Sequence, residues 1–132
     1  MKVVLCNGCF DILYVGHVQH LREAREMGDI LIVALTDDDY IRKGPGRPIH
    51  PWSERAEVLR ELRCVSEVIH SLGAVPAILS IRPTYFVKGI DYADGKHWTE
   101  GIDEACRKVG ARVRFTSSPK RSVTELVRRM CA

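Results

Sequence analysis

The stretch that decides the fold is NGCFDILYVGH, residues 7–17, which leads from a short apolar run into a helical pattern. Gly8 allows the backbone to turn sharply and to approach a ligand closely. Gly16 and His17 stand where the helix starts, and there the free N–H groups and the helix dipole favour a phosphate. The same spacing also suits a plain strand-to-helix turn in which His17 only begins the helix. The stretch is not G-x-G-x-x-G, so a dinucleotide-binding fingerprint is not supported.

Outward from this stretch, apolar runs alternate with helical patterns along the whole chain. Strands are predicted at 2–6, 30–35, 65–70, 85–88 and 112–115, and several are apolar throughout, as in strands buried on both faces of a parallel sheet. Helices are predicted at 17–27, 52–63, 74–81, 104–109 and from Ser122 onward, where Ser122 and Glu125 form a capping-box pattern. In the second helix Val58, Leu59 and Leu62 share the apolar face. The alternation predicts one α/β domain over residues 1–132, a Rossmann-like three-layer sandwich around a five-stranded parallel sheet.

Composition argues against several classes of protein. The chain has 132 residues, 45% of them hydrophobic, and a formal net charge of +3. This suits a single domain, and no block of Lys and Arg indicates a nucleic-acid partner. The longest apolar run, 30–35, is too short to cross a membrane, so no membrane partner is predicted.

Cysteine usage predicts a reducing, cytoplasmic location. The five cysteines are odd in number and scattered, which argues against a disulfide framework. Cys6 and Cys9 form a C-x-x-C pattern, but a redox pair normally opens a helix, and no second ligand pair for zinc is obvious. We interpret them as a buried strand residue and a small loop residue.

The segments that follow the strands are the candidate ligand-binding segments, because ligands of such sheets bind beyond the carboxyl ends of the strands. They are 7–17, 36–48, 71–74, 88–97 and 116–124. Within the loop KGPGRP, 43–48, Lys43 and Arg47 could reach a polyphosphate, although composition alone favours a solvated basic loop. The aspartates at 37–39 are more typical of a helix start than of a metal cage. The histidines at 20, 50, 70 and 97 lack metal-ligand spacing, so we interpret them as surface or structural residues and predict no metal ligands.

Residues 8–17, GCFDILYVGH, resemble the G-x-F-D-x-x-H-x-G-H signature of the cytidylyltransferase-like nucleotidyltransferases. The resemblance extends through the loop 43–48, Arg55, the segment KGIDY at 88–92 and the helix start SVT at 122–124, and so covers nearly the whole chain. Segment 88–92 and the pair Arg47-Pro48 are closer to the adenylyltransferase domain of ADP-heptose synthase than to glycerol-3-phosphate cytidylyltransferase.

The resemblance implies the strand order 3-2-1-4-5 and transfer of AMP or CMP from ATP or CTP to a phosphorylated sugar or polyol, with release of pyrophosphate. It also implies Mg²⁺ carried mainly by the triphosphate, and a homodimer. The implied catalytic groups are His17 and Lys43. The implied nucleotide-binding residues are Gly8, Cys9, Phe10, Tyr14, Gly16, His17, Lys88, Gly89, Asp91, Ser117, Ser122, Val123 and Thr124. The implied substrate- or phosphate-binding residues are Asp11, Lys43, Arg47 and Arg55.

Two positions depart from the family pattern and keep an alternative open. Tyr14 replaces the first signature His, and Val123 replaces the middle residue of a helix start that usually reads STT. A catalytically weakened nucleotide-binding module of the same fold is therefore the second interpretation. For Arg55 the resemblance implies a phosphate-binding or loop-fixing role, and the alternative is a surface Arg55 paired with Glu54 or a neighbour. For segment 88–92 the alternative is a plain turn.

Overall fold

The computed structural model describes residues 1–90, 93, 100–117 and 123–131. Strands and helices alternate along the chain as β1 (Val3–Gly8), α1 (Val15–Glu26), β2 (Ile30–Thr36), α2 (Trp52–Arg60), β3 (Glu67–Ser71), α3 (Ala74–Ile81), β4 (Tyr85–Gly89), α4 (Ile102–Val109), β5 (Arg112–Thr116) and α5 (Val123–Met130). A short 3₁₀ helix, Asp38–Tyr40, follows β2. Among the described residues, no helix combines the length and apolar character needed to cross a bilayer.

The strands form one parallel sheet in the order β3-β2-β1-β4-β5, which confirms the predicted fold class and strand order. β1 occupies the centre of the sheet. The chain first adds strands on one side of β1 and then crosses to the other side to form β4. The strand order therefore reverses at β1, and the crevice beyond its carboxyl end is the place where such sheets bind ligands.

Two hydrophobic clusters cover the two faces of the sheet. Val4 of β1 belongs to a cluster with Leu21 of α1 and Leu59 of α2, whereas the next residue, Leu5, belongs to a cluster with Ile78 of α3 and other residues of the opposite face. Successive side chains of a strand point to opposite faces, so β1 contributes to both clusters. Each of these side chains is at most 1% exposed, and burial of one such side chain contributes about 1.5–3 kcal/mol.

Two element boundaries near the crevice differ from the predicted ones. β1 continues past the predicted end at residue 6, because the backbone stays paired with β2 as far as Gly8 and Leu35. α1 begins at Val15 rather than at His17, so His17 lies within the first helical turn. Pairing with β2 extends β1 into a segment which its own sequence marks as a turn.

The inward face of α2 was predicted wrongly at one position. Val58 is 51% exposed, whereas Arg55, Ala56 and Leu59 are buried. The helix is therefore rotated to bury an arginine in place of a valine. The hydrogen bonds of that arginine, described below, account for this orientation.

Candidate active site

A cavity of about 240 Å³ opens at the carboxyl ends of the central strands. It lies between the loop that follows β1, the first turns of α1 and the ends of β2, β4 and β5. Its lining residues are Asn7, Gly8, Cys9, Phe10, Tyr14, Gly16, His17, His20, Thr36, Lys43, Lys88, Gly89 and Thr116. The structure thus brings together all the candidate nucleotide-binding residues of segment 8–17 with Lys43, Lys88 and Gly89.

His17 is held in a defined orientation at the start of α1. The backbone N–H of Tyr14 donates to His17 Nδ1 at 3.3 Å, so a neutral ring carries its hydrogen on Nε2. The imidazole lies edge-on to two aromatic rings, with centroid distances of 5.3 Å to Phe10 and 4.6 Å to Tyr14. These contacts present an oriented hydrogen-bond donor at a helix N-terminus whose first turn contains no acidic residue.

Tyr14 packs its ring against the first turn of α1. A Cβ atom added at Gly16 would lie 2.6 Å from the Tyr14 hydroxyl oxygen, so a side chain at position 16 would collide with the ring. Gly16 is therefore required for close packing at the site where a phosphate would approach the helix. Tyr14 stands where the signature that segment 8–17 resembles has its first His, and its side chain lines the cavity.

For the nucleotidyl transfer that the resemblance of segment 8–17 implies, we expect Tyr14→Phe to lower turnover at least about tenfold, because a hydrogen bond from the hydroxyl to a phosphate oxygen would be lost. Tyr14→His should keep or raise turnover, since an imidazole at this position restores a donor that can also carry charge. Steady-state rates of pyrophosphate release on both variants check this. An unchanged rate for Tyr14→Phe would mean that Tyr14 only packs.

The buried carboxylate of Asp11 organises the loop that follows β2. It accepts hydrogen bonds from Arg47 Nε at 3.2 Å and from the backbone N–H groups of Ile49 and His50 at 2.6 and 3.0 Å. Burial alone would raise the pKa of Asp11, but these hydrogen bonds and the charge of Arg47 outweigh it and lower the pKa below its ordinary value. Asp11 is therefore a fixed anion that ties residues 47–50 to the loop after β1.

Arg55 forms a second buried junction beside the cavity. It is 2% exposed, and its guanidinium donates to the carbonyl oxygens of His50 at 2.9 Å, Cys9 at 2.8 Å and Thr36 at 3.0 Å. It also donates to the carboxylate of Asp38. The interpretation of Arg55 as a surface residue paired with Glu54 is wrong, because the side chain joins the loops that follow β1 and β2.

None of Asp11, Arg47 and Arg55 lies among the lining residues of the cavity. Their observed contacts are those of loop-fixing residues. A direct role in binding substrate or phosphate was predicted for them and stays a prediction. These residues act on the site through the loop that carries Lys43.

The two lysines of the cavity differ in their surroundings. Lys43 is exposed on the loop between β2 and α2, and it contributes to the wall of the cavity. Lys88 donates from Nζ to the carbonyl oxygen of Asn7 at 3.0 Å and lies 5.8 Å from the ring centroid of Phe86. Lys88 therefore points from β4 towards the central strand β1, whereas Lys43 approaches the cavity from the loop that follows β2.

Four cavity residues were not singled out as site residues: Asn7, His20, Thr36 and Thr116. Asn7, Thr36 and Thr116 are the first residues of the predicted ligand-binding segments 7–17, 36–48 and 116–124, whereas His20 lies outside all of these segments. His20 follows His17 by three residues, which places both on one face of a helix. The interpretation of His20 as a surface or structural residue therefore missed its position on the cavity wall.

The remaining candidate residues fall outside the cavity or outside the described residues. Ser117 is exposed, and its N–H and hydroxyl both donate to the carboxylate of Glu23, at 3.0–3.3 Å. Asp91 and Ser122 lie outside the described residues, as do the side chains of Val123 and Thr124. Their predicted nucleotide contacts stay predictions.

The cysteines and aspartates near the site have structural explanations. Cys6 is buried in β1, and this burial raises the pKa of its thiol to about 12. Cys9 is a partly exposed loop residue on the cavity wall, which confirms the interpretation of the C-x-x-C pattern. Asp37 accepts a hydrogen bond from the N–H of Asp39 at 2.9 Å, as a residue that caps the start of the 3₁₀ helix.

Comparison with known proteins gives the family. The model of the family described as cytidylyltransferase-like matches residues 5–129. The chain belongs to this family. The resemblance carried by segment 8–17 is thereby confirmed, and the cavity described above lies where that signature folds.

The curated proteins that are similar to this chain are longer than the chain. The bifunctional protein HldE of Helicobacter hepaticus is 48% identical over 95 residues, which cover 69% of this chain and 20% of the relative. The bifunctional protein HldE of Vibrio parahaemolyticus is 46% identical over 95 residues, with the same coverage. The matched part of the chain thus corresponds to about a fifth of the length of these relatives.

Solved structures share the fold of this family member. A lipopolysaccharide core biosynthesis protein from Thermoplasma volcanium has a TM-score of 0.73 at 26% identity, over 92% of this chain and 99% of that one. Thermotoga maritima TmcAL, solved with alpha-thio ATP, has a TM-score of 0.69 at 17% identity, over 99% of this chain and 50% of that one. The second likeness shows the fold alone.

Proposed function

We propose that this chain is a nucleotidyltransferase that moves AMP or CMP from a nucleoside triphosphate to a phosphorylated sugar or polyol and releases pyrophosphate. One observation carries the proposal. A single cavity combines the N-terminus of α1, the oriented imidazole of His17 and the cations Lys43 and Lys88. Helix N-termini and cations are the groups that proteins use to bind phosphates.

The proposed chemistry is a direct in-line displacement. An oxygen of the acceptor phosphate forms a bond to the α-phosphorus, the bond from that phosphorus to the bridging oxygen breaks, and the electron pair leaves with pyrophosphate. No protein nucleophile is needed, because the acceptor is already an anion. The protein positions the reactants and stabilises negative charge, with His17 at the transferring phosphate and Lys43 at the leaving phosphates.

The first-choice acceptor is a heptose 1-phosphate, and the second is glycerol 3-phosphate. Similarity to the bifunctional HldE proteins and to a lipopolysaccharide core biosynthesis protein supports a sugar phosphate. The segment 88–92 and the pair Arg47-Pro48 point in the same direction. We further propose Mg²⁺ as a cofactor held mainly by triphosphate oxygens and water, a cytoplasmic location and a homodimeric assembly.

Lys43→Ala is expected to reduce pyrophosphate release, and Lys43→Arg should restore it poorly, because a compact ammonium and a planar guanidinium differ in shape and hydration. Initial rates at saturating nucleotide measure both effects. Lys2→Ala, at the exposed start of the chain, is the matched control and should retain the wild-type rate. Equal rates for all these forms would show that Lys43 is only a solvated loop residue.

A substrate panel tests the proposal as a whole. ATP, CTP, GTP and UTP are each combined with Mg²⁺ and one of three acceptors, heptose 1-phosphate, glycerol 3-phosphate or an unrelated phosphate ester, and pyrophosphate is measured. We expect release with one nucleotide and with either heptose 1-phosphate or glycerol 3-phosphate. Release only with an unrelated phosphate ester would overturn the acceptor class. If the wild type binds nucleotide without turnover and Tyr14→His gains turnover, the chain is instead a weakened nucleotide-binding module.

A further inference from the structure

His20 and Thr116 form a hydrogen-bonded pair on the β5 side of the cavity. His20 Nδ1 lies 2.6 Å from Thr116 Oγ1, and both residues line the cavity. Thr116 is 1% exposed, and its hydrogen bond with His20 fixes the His20 imidazole in one orientation. A group that recognises a ligand must be held in one orientation, and a fixed, partly buried polar ring on a cavity wall meets this requirement.

The polar groups that line the cavity differ from one side of the cavity to the other. Lys43 approaches from the β2 side and the N-terminus of α1 lies above β1, whereas His20, Gly89 and Thr116 lie on the β4–β5 side. From β2 to β5 the sheet spans three strand spacings, about 14 Å. His20 is also about 4.5 Å further along the axis of α1 than His17. Lys43 and the His20–Thr116 pair therefore stand on different sides of the site, and the ammonium of Lys88 reaches from β4 back to the Asn7 carbonyl of β1, between them.

A nucleoside triphosphate has the matching asymmetry, with a highly charged triphosphate at one end and an uncharged nucleoside at the other. We propose that His20, held by Thr116, positions the nucleoside of the bound nucleotide and contributes to the choice of base. This inference rests on the proposed function and assigns one part of the same cavity. His17 and Lys43 then contact phosphates, and His20 contacts the base or the ribose through its ring or a ring nitrogen.

Inorganic triphosphate separates this role from a structural one, because it carries the charge of the nucleotide but no nucleoside. Dissociation constants for ATP, CTP and inorganic triphosphate, each with Mg²⁺, are measured by calorimetry on the wild type and on His20→Ala. We expect His20→Ala to weaken the preferred nucleotide about tenfold, the size of one hydrogen bond. Binding of inorganic triphosphate should stay within about twofold. His20→Gln, which keeps a polar group, should recover part of the loss.

Thr116 and Glu23 supply the matched controls. Thr116→Val should reproduce the loss seen in His20→Ala, and Thr116→Ser should not. Glu23 also connects α1 to the end of β5, through Ser117, but does not line the cavity. Glu23→Ala should therefore leave the ratio of ATP to CTP affinity unchanged.

The outcomes separate the inference from the proposed function. Equal weakening of nucleotide and inorganic triphosphate in His20→Ala, or an unchanged nucleotide affinity, overturns the role of His20 while pyrophosphate release by the wild type still supports the proposed function. If the wild type binds none of the nucleotides, both are overturned. Selective loss of nucleotide affinity supports the inference even for a chain without turnover.

Discussion

Replacing His17 by alanine is expected to lower the rate of pyrophosphate release by about 10²–10³-fold, the usual cost of removing one preorganised donor from a charged transition state. The structure gives the reason for so large an effect. Tyr14 N–H and the edges of two aromatic rings hold the imidazole in one orientation at the start of α1. A donor that is already oriented requires no reorganisation during the reaction. The measurement is kcat at saturating nucleotide and acceptor.

Stability measurements complete the test of His17. The alanine variant loses the 3.3 Å hydrogen bond from Tyr14 N–H and the contacts with two aromatic rings, so its free energy of unfolding in urea should fall by about 1–3 kcal/mol. His50→Ala is the matched control, because the His50 side chain is half exposed and pairs with Glu54 on the surface. This control should keep the wild-type rate. A folded His17→Ala variant that turns over like the wild type would refute the assigned role.

Arg55→Ala should have the largest effect on stability, lowering the free energy of unfolding by about 3–5 kcal/mol. Removal of the guanidinium takes a donor from three carbonyl oxygens, those of Cys9 after β1, Thr36 at the end of β2 and His50 before α2. Arg55→Lys should recover little, because an ammonium cannot reproduce the planar fork. Urea unfolding monitored by circular dichroism gives the values.

Glu57→Ala is the control for Arg55, since Glu57 is exposed on the same helix. Its free energy of unfolding should stay within about 0.5 kcal/mol of the wild type. A loss below about 1 kcal/mol in Arg55→Ala would contradict the account, because the hydrogen bonds of Arg55 would then together contribute no more than one ordinary hydrogen bond.

The fold was predictable from the sequence because its strands are short apolar runs and its helices are separated by clear breaks. The buried face of α2 could not be predicted from the pattern of apolar residues. Hydropathy places Val58 inward and Arg55 outward, but Arg55 is buried because carbonyl oxygens from distant segments accept its hydrogen bonds. Such a partnership between residues far apart in sequence leaves no local pattern.

The candidate site was predictable where it follows one continuous signature. Segment 8–17 supplies much of the cavity wall, as expected, because a strand, a turn and a helix start fix its shape locally. Asp11 and Arg47 face each other instead of the cavity, across 36 positions of sequence. His20 and Thr116 meet across 96 positions. Neither pairing can be read from spacing, because each depends on how the strands are ordered in the sheet.

The measurement that tests the central claim most directly is an isotope-labelled turnover with the preferred nucleotide. The acceptor carries ¹⁸O in its phosphate, and mass spectrometry follows the label in the products. Direct attack by the acceptor phosphate predicts that the nucleotide conjugate retains all of the label and that pyrophosphate contains none. Formation of a nucleoside diphosphate without pyrophosphate, or hydrolysis to free nucleoside monophosphate with an unchanged acceptor, would contradict nucleotidyl transfer.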